Sequence, residues 1–309
     1  MNKAKEFQIS GHETFVLRRL WLPKTVRFIE EEKKCGRSPS FVGEEAMVKM
    51  GLGKNMLSSS RFWATACGII TKKGTDITPL GVFLFDPETG KDKHCEKKNT
   101  QWLIHWNLCS DPQRLTIFWF LFNHVNQVII SKDSLIESFV QFLQREYAHK
   151  FSLNSVHRDA EIVLRSYLPT LGEKGNKVTE ETIECFLGEL GLLSYFSKDS
   201  VSLLRDERRS LNDYIFAYAI LDFWEKLKNT SSSLTYLQLA NEVGSPGKIF
   251  RLNEASLVSR LEKLDELTEG NLVWTEQAGL KSLVRRKEAL SNPTNYKEEL
   301  LHLAFKDQQ

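Results

Sequence analysis

Along this 309-residue chain, apolar positions recur mostly at three- and four-residue spacing, which predicts a mainly α protein. Behind Pro23, the apolar Val26 and Ile29 and the charged run Glu30 to Lys34 continue a helix to about Cys35, where Gly36, Pro39 and Ser40 break it. A short helix from about Gly43 to Met50 ends in the turn Gly51-Leu52-Gly53, and another follows from Lys54 to about Cys67. Two helices joined by a tight, glycine-containing turn are a helix-turn-helix. The β-prone stretches Ile69-Ile70-Thr71 and Thr75-Asp76-Ile77 flank Lys72-Lys73-Gly74 and predict a small hairpin wing. Thr78 then caps, and Pro79 opens, a further helical turn through Phe85.

The charged stretch Asp86 to Asn99 reads as a linker, and from Thr100 to about Leu168 the pattern is helical throughout. It comprises Trp102 to Leu108, Pro112 to Val125, Lys132 to Tyr147 and Ser155 to Tyr167, with Phe118, Trp119, Leu121 and Phe122 as core. Pro169 to Lys177 reads as a second linker. Beyond it come a helix from Thr179 to Leu190, a hairpin from Tyr195 to Leu204 turning at Lys198 and Asp199, and a long amphipathic helix from Leu211 to Lys228. After a Ser-rich break at Thr230 to Ser233, helices at Leu234 to Val243 and Asn253 to Leu267 precede a strand at Leu272 to Trp274. The expected domains are a winged helix-turn-helix over 1–90, a helical middle over 91–172 and a mostly helical C-terminal part over 173–309. In that last part the helix, Leu-Gly-Leu and hairpin order of 179 to 204 loosely echoes 54 to 77, so a second winged-helix-like unit is an open expectation.

Charge changes this picture more than composition does. The net charge is only +2, but residues 1 to 80 carry 14 Lys and Arg against 8 Asp and Glu, leaving the remainder at −4. A basic front is the footprint that phosphate binding needs. The predicted helix from Lys54 has an inward stripe, Met56, Ser60, Trp63 and Cys67. A second stripe, Lys54, Ser58, Arg61 and Thr65, has the same spacing but is shifted by two residues, or roughly 200° around the helix. In a major groove such a stripe reaches phosphates and guanine edges, and Asn55 beside it can read adenine. Lys49, Lys54, Asn55, Ser58, Arg61, Thr65, Lys72 and Lys73 are therefore the candidate DNA contacts.

Five cysteines, with no Cys-x-x-Cys pair, argue against a disulfide framework and against a cysteine-rich zinc module. No apolar run reaches the roughly 18 residues of a membrane span, and the charged Met1 to Ser10 lacks a signal-peptide core, so the expected compartment is the cytoplasm and no membrane partner is expected.

The block Ser10-Gly11-His12-Glu13-Thr14-Phe15, with Arg18, Trp21 and Leu22 behind it, resembles a bacterial family long catalogued only as a domain of unknown function. The resemblance continues through Gly51 to Met56, Arg61-x-Trp63, Thr78-Pro79-Leu80-Gly81, Trp102-Leu103-Ile104-His105-Trp106, Phe122-Asn123, Arg158-Asp159 and Leu190-Gly191-Leu192. This is the SspB-like family of DNA phosphorothioation systems, whose best-known member is described as a DNA nickase. The resemblance implies a component of an anti-phage, restriction-modification type system that opens or holds one DNA strand while sulfur replaces a phosphate oxygen. It also implies co-encoded partners: an ATPase, a sulfur transferase and a cysteine desulfurase. Lys91, Lys93, Lys97 and Lys98 stand where the family pattern suggests a more acidic stretch.

Phosphodiester hydrolysis needs an activated nucleophile and charge stabilisation, usually with a carboxylate-held metal. No Asp-x-Asp, His-Asn-His or Glu-x-Lys signature is present, so nicking rests on the resemblance. The candidate catalytic residues are His12, Glu13, Arg18, His105, Asn123, Arg158 and Asp159. All but Arg18 also have a structural reading: a capped helix start for His12 and Glu13, a satisfied core histidine for His105, a helix terminus for Asn123, and a helix-orienting pair for Arg158 and Asp159. His94, Cys95, His105 and Cys109 contain enough ligands for one zinc, although adjacent His94 and Cys95 make awkward joint ligands. A nickase would call for a divalent cation, magnesium or manganese; a non-catalytic adaptor or a transcriptional regulator, the alternatives, would need none.

Overall fold

In the computed structural model, which describes residues 7–146, 150–169, 186–227, 231–277, 279–286 and 293–306, the amphipathic runs form a mainly helical chain with small antiparallel sheets. The chain divides into two units, one of Met1–Leu121 with Val125–Leu203, the other of Phe122–His124 with Leu204–Gln309.

The first unit opens with α1 (Trp21–Lys34), which buries Trp21, Leu22, Val26, Phe28 and Ile29 on one face. Helix α2 (Glu44–Met50) carries Glu44 and Glu45 in its first turn, where the helix dipole favours negative charge, and stops at Gly51 in the left-handed conformation. After Leu52 and the extended Gly53, α3 (Lys54–Ala66) begins, burying Leu57, Ser60, Trp63 and Ala64. Between α3 and α4 (Pro79–Phe85) the expected hairpin is reduced to a single antiparallel bridge, Ile70 to Ile77. The Thr78 hydroxyl accepts the Gly81 amide, capping α4 as expected.

The stretch expected as a linker, 86–99, is instead pinned to the core. The Asp86 carboxylate accepts the amides of Glu88 and Thr89, and the amide and hydroxyl of Thr89 hold it down at about 2. Buried Asp92 accepts the amides of Glu96 and Lys97 and the Thr100 hydroxyl. Charged side chains that satisfy local amides look like solvated linker in a sequence but order the chain in a structure.

Helix α5 (Lys98–Ser110) is the centre of this unit: every residue from Thr100 to Ser110 is buried. Trp102, Leu103, Ile104, Trp106 and Leu108 are wholly enclosed, each burial contributing about 1.5–3 kcal/mol. Helix α6 (Thr116–His124) supplies the aromatic cluster; its Phe120 lies 5.1 Å from both Phe139 and Phe142 of α7 (Lys132–Glu146). Helix α8 (Leu153–Tyr167) packs on α7. The helical pattern expected through 100–168 is interrupted by strand β1 (Ile129–Ser131), which pairs with β3 (Ser200–Ser202), itself paired with β2 (Ser194–Tyr195). The β2–β3 hairpin is the one expected from Tyr195 to Leu204. Most of the helix expected from Thr179 and the linker expected after Pro169 lie outside the described residues; within them a 3-10 turn spans Gly188–Leu190.

The second unit is built on α9 (Asp213–Lys226), capped by Asn212, whose side chain accepts the amides of Tyr214 and Ile215. Strand β4 (Ser233–Thr235) leads into α10 (Tyr236–Asn241) through a reciprocal capping box of Thr235 and Gln238. Short helices α11 (Pro246–Ile249), α12 (Glu254–Glu262) and α13 (Leu264–Leu267) follow. Strands β5 (Leu272–Gln277) and β6 (Leu280–Arg285) then complete a sheet of order β4-β6-β5. The last helix, α14 (Pro293–Ala304), packs on α9, where Lys297 bonds Asp222 at 3.4 Å and Glu225 at 2.5 Å. Expectation placed a strand at Leu272 to Trp274 but missed β6 and α14. No helix among the described residues is long and apolar enough to cross a membrane.

Candidate nucleic-acid interface

Because α3 buries its Leu57, Ser60, Trp63 and Ala64 face, the opposite face is left to solvent. Lys54, Asn55, Ser58 and Arg61 are all exposed and Thr65 half-buried. The bridge Ile70–Ile77 closes a turn that leaves Lys72 and Lys73 exposed beside this face. Arg61 joins the two: its guanidinium donates to the Lys73 carbonyl at 2.9 Å and lies 5.9 Å from the Phe41 ring centre. Gly74, at φ +78°, lets the turn pass so close that a Cβ there would stand 2.6 Å from Arg61 Nε. Lys33 holds the same turn from α1 through Asp76 at 2.5 Å. The Thr65 hydroxyl is directed back to the Arg61 carbonyl at 3.0 Å.

Lys49 belongs to a different arrangement. Its ammonium bonds Glu32 and Glu45, each at 2.6 Å, and Arg37 makes a two-pronged contact with Glu32 at 2.8 and 3.0 Å. The bonds from Arg37 and then Lys49 hold the Glu32 carboxyl down at about 2. Bonding to Glu32 and Glu45 raises Lys49. Its charge is matched within the fold, whereas Lys54 makes no ion pair among the described residues.

The catalytic candidates are placed very differently. His12 and Asp159 are brought together across the sequence, with Nε2 to Oδ1 at 2.8 Å, but both are buried, at 2% and 0% exposure. His12 Nδ1 accepts the Thr14 amide at 3.1 Å, so Nε2 carries the hydrogen that reaches Asp159. Both carboxylate oxygens of Asp159 also accept the Ser10 amide at 3.1 Å. Both ring nitrogens of His12 are thus engaged inside the protein. The loop that bends to make this clasp has positive φ at Ser10, Gly11, Glu13 and Thr14. It is fastened to α3 by Ser59, which donates to the His12 carbonyl, and by Trp63, whose indole donates to the Phe15 carbonyl. Ser59 and the Ser10 amide were missed in the sequence; the signal available was that Ser10-Gly11-His12 and Arg158-Asp159 belong to one family pattern.

Glu13 and Arg158 are exposed. Arg18 lies over Trp21 and Phe15, at 5.3 and 5.8 Å from the ring centres. His105 is wholly buried, bonding Tyr167 Oη at 2.7 Å with Cys109 Sγ at 3.5 Å, and burial pushes the Cys109 thiol up. Asn123, in the second unit, accepts the Gly244 amide through its side chain at 2.6 Å and the Lys248 ammonium through its carbonyl at 2.7 Å. Cys95 is buried, and its thiol is pushed well up by burial and then by Asp92. Among the described residues no group of three or more His, Cys, Asp or Glu side chains is placed to hold a metal ion.

A family model described as "Protein of unknown function (DUF4007)" matches residues 9–301. The chain belongs to that family. Two solved structures of SspB, one with a magnesium ion bound, superpose with a TM-score of 0.83 at 25% identity, covering 98% of this chain and 89% of theirs. The likeness to an SspB-like family, carried in the sequence by the Ser10 to Phe15 block, therefore holds over the whole fold. No curated protein matches this sequence.

Proposed function

We propose that the chain is the DNA-binding component of a bacterial DNA phosphorothioation system that defends against phage, and that α2, α3 and the 71–76 turn act as a winged helix-turn-helix. The observation that carries this reading is the solvent-facing row Lys54, Asn55, Ser58 and Arg61 on a helix anchored from behind by buried Trp63, with Lys72 and Lys73 on the adjacent turn. Cationic and amide side chains at helical spacing suit a major groove, and two lysines beside them suit the flanking phosphates. The SspB likeness supports a place in that system; the co-encoded ATPase, sulfur transferase and cysteine desulfurase that the sequence resemblance implies are the proposed partners, and the cytoplasm the proposed setting.

In its fuller form the proposal includes nicking one strand so that sulfur can enter. The described residues do not fit a conventional magnesium site, since no cluster of three ligating side chains is present among them, and no catalytic step is drawn through a metal. The enclosed His12–Asp159 pair favours the second reading, a non-catalytic adaptor that presents DNA to the modifying enzymes.

Both readings require duplex binding that weakens steeply with salt, because lysine and arginine contacts displace counterions. Fluorescence anisotropy with labelled duplex, at rising salt, checks this; salt-independent binding, or none, would overturn the interface. Supercoiled plasmid with magnesium or manganese, with and without the co-encoded proteins, then separates nickase from adaptor. Open-circle product formed by the wild type and lost in His12→Ala Glu13→Ala supports nicking at those residues; the absence of product under all these conditions leaves the adaptor.

A further inference from the structure

The face of α3 that carries Arg61 and Thr65 runs directly into a groove at the C-terminal end of the helix. The groove encloses about 610 Å³, within the roughly 300–1,000 Å³ of small-molecule pockets. Its walls include Phe7, Phe62, Ala66 and Ile70, and two of its lining residues, Thr65 and Lys72, are also candidate DNA contacts. Thr71 is also on the lining, with its hydroxyl oxygen turned away from the open space and buried. At one side Arg114 lies against Gly68, where a Cβ would meet its guanidinium at 2.2 Å, and donates to the Ala66 carbonyl at 3.2 Å. At the mouth Lys72 bonds the exposed Gln113 side chain at 3.3 Å.

This combination has one economical occupant. Aromatic and aliphatic walls suit the faces of a planar base, and Lys72 and Arg114 at the sides suit the phosphates flanking it. An occupant that arrives with a duplex on α3 would need no separate route in. We infer that this groove receives a single nucleobase turned out of the duplex held on α3, an inference that rests on the DNA-binding reading and deepens it. Eversion costs a few kcal/mol of unstacking and unpairing, a cost that is least for a base already unpaired.

The test compares a short fully paired duplex with the same duplex carrying one central mismatch, and places 2-aminopurine at the mismatch. Wild-type protein is expected to bind the mismatched duplex about tenfold more tightly, with roughly a threefold rise in 2-aminopurine emission. Gln113→Trp, at the exposed mouth, closes the groove and should bring the affinity ratio to about one. Phe62→Ala removes an aromatic wall and should lower the ratio several-fold; circular dichroism verifies that both variants fold. Lys54→Glu Arg61→Glu should weaken both duplexes while preserving the ratio. Failure to bind either duplex would overturn the interface and the groove assignment with it. Tight binding with equal affinities and unchanged emission, or a ratio that survives both groove variants, would overturn the groove assignment alone. Amide-exchange protection of the groove by a co-encoded protein, and not by DNA, would mark it as a protein-docking site and likewise overturn the assignment.

Discussion

Two regions of the first unit use the same kinds of residue for opposite purposes. In the His12–Asp159 clasp a base and a carboxylate are buried, and together with the amides of Ser10 and Thr14 each finds its partner within the protein. Along α3 a comparable density of polar groups, Lys54, Asn55, Ser58 and Arg61, faces solvent. The most recognisable motif of the chain therefore holds α3 in place, while the plainer stripe on α3 is the part open to a ligand. Enclosure decides which: a buried hydrogen-bonded pair has its energy committed to the fold, whereas an exposed cation on a helix contributes little to stability and remains available.

The sharpest way to break this comparison is Asp159→Ala. Removing the carboxylate strands the His12 ring and the Ser10 amide, and unfolding in urea should show a loss of about 2–4 kcal/mol. A loss below about 1 kcal/mol would place the clasp with ordinary surface pairs. Next in size, Lys54→Glu Arg61→Glu should leave the urea midpoint nearly unchanged and cut duplex affinity about a hundredfold at low salt, with a shallower salt slope. Equal affinity would remove the functional half of the contrast.

A smaller effect separates lysines within the front segment. Lys49→Ala should change duplex affinity less than about threefold, and less than Lys54→Ala, because Lys49 is already neutralised by Glu32 and Glu45. A larger effect for Lys49 would extend the interface to α2. The smallest effect is confined to acid. Glu32 is lowered from 4.5 to about 2 in the folded protein, so its stabilising contribution is present above pH 4.5 and is lost as pH falls through about 2. The unfolding free energy of Glu32→Gln should decline less steeply between pH 5 and 2 than that of the wild type; parallel curves would detach Glu32 from the network.

Much of the helical order was legible. The Gly51-Leu52-Gly53 turn, the Thr78-Pro79 start and the two stripes of α3 come from local chemistry: a left-handed cap, a fixed proline φ and a repeat near 3.6 residues. The wing was overestimated, because β-prone residues around a glycine suggest a hairpin, whereas the structure makes only the bridge Ile70–Ile77. Strand β1 was hidden because its partner Ser200–Ser202 lies some seventy positions away, and pairing at that range leaves no local mark. The stretch 86–99 looked like solvated linker because nothing in the sequence says that Asp86 and Asp92 turn inward to accept amides.

For the candidate site, the sequence by itself determined which helix would carry a cationic stripe and that the stripe would oppose an apolar one, since both follow from residue spacing on one helix. Only the tertiary structure decided that Lys49 is spent on Glu32 and Glu45 while Lys54 is not, that His12 meets Asp159 at 2.8 Å inside the core, and that a groove opens where α3 ends. Those outcomes depend on which distant segments share space. A periodic pattern reports the face a residue occupies, but burial and partnership are set by what the rest of the chain places against that face.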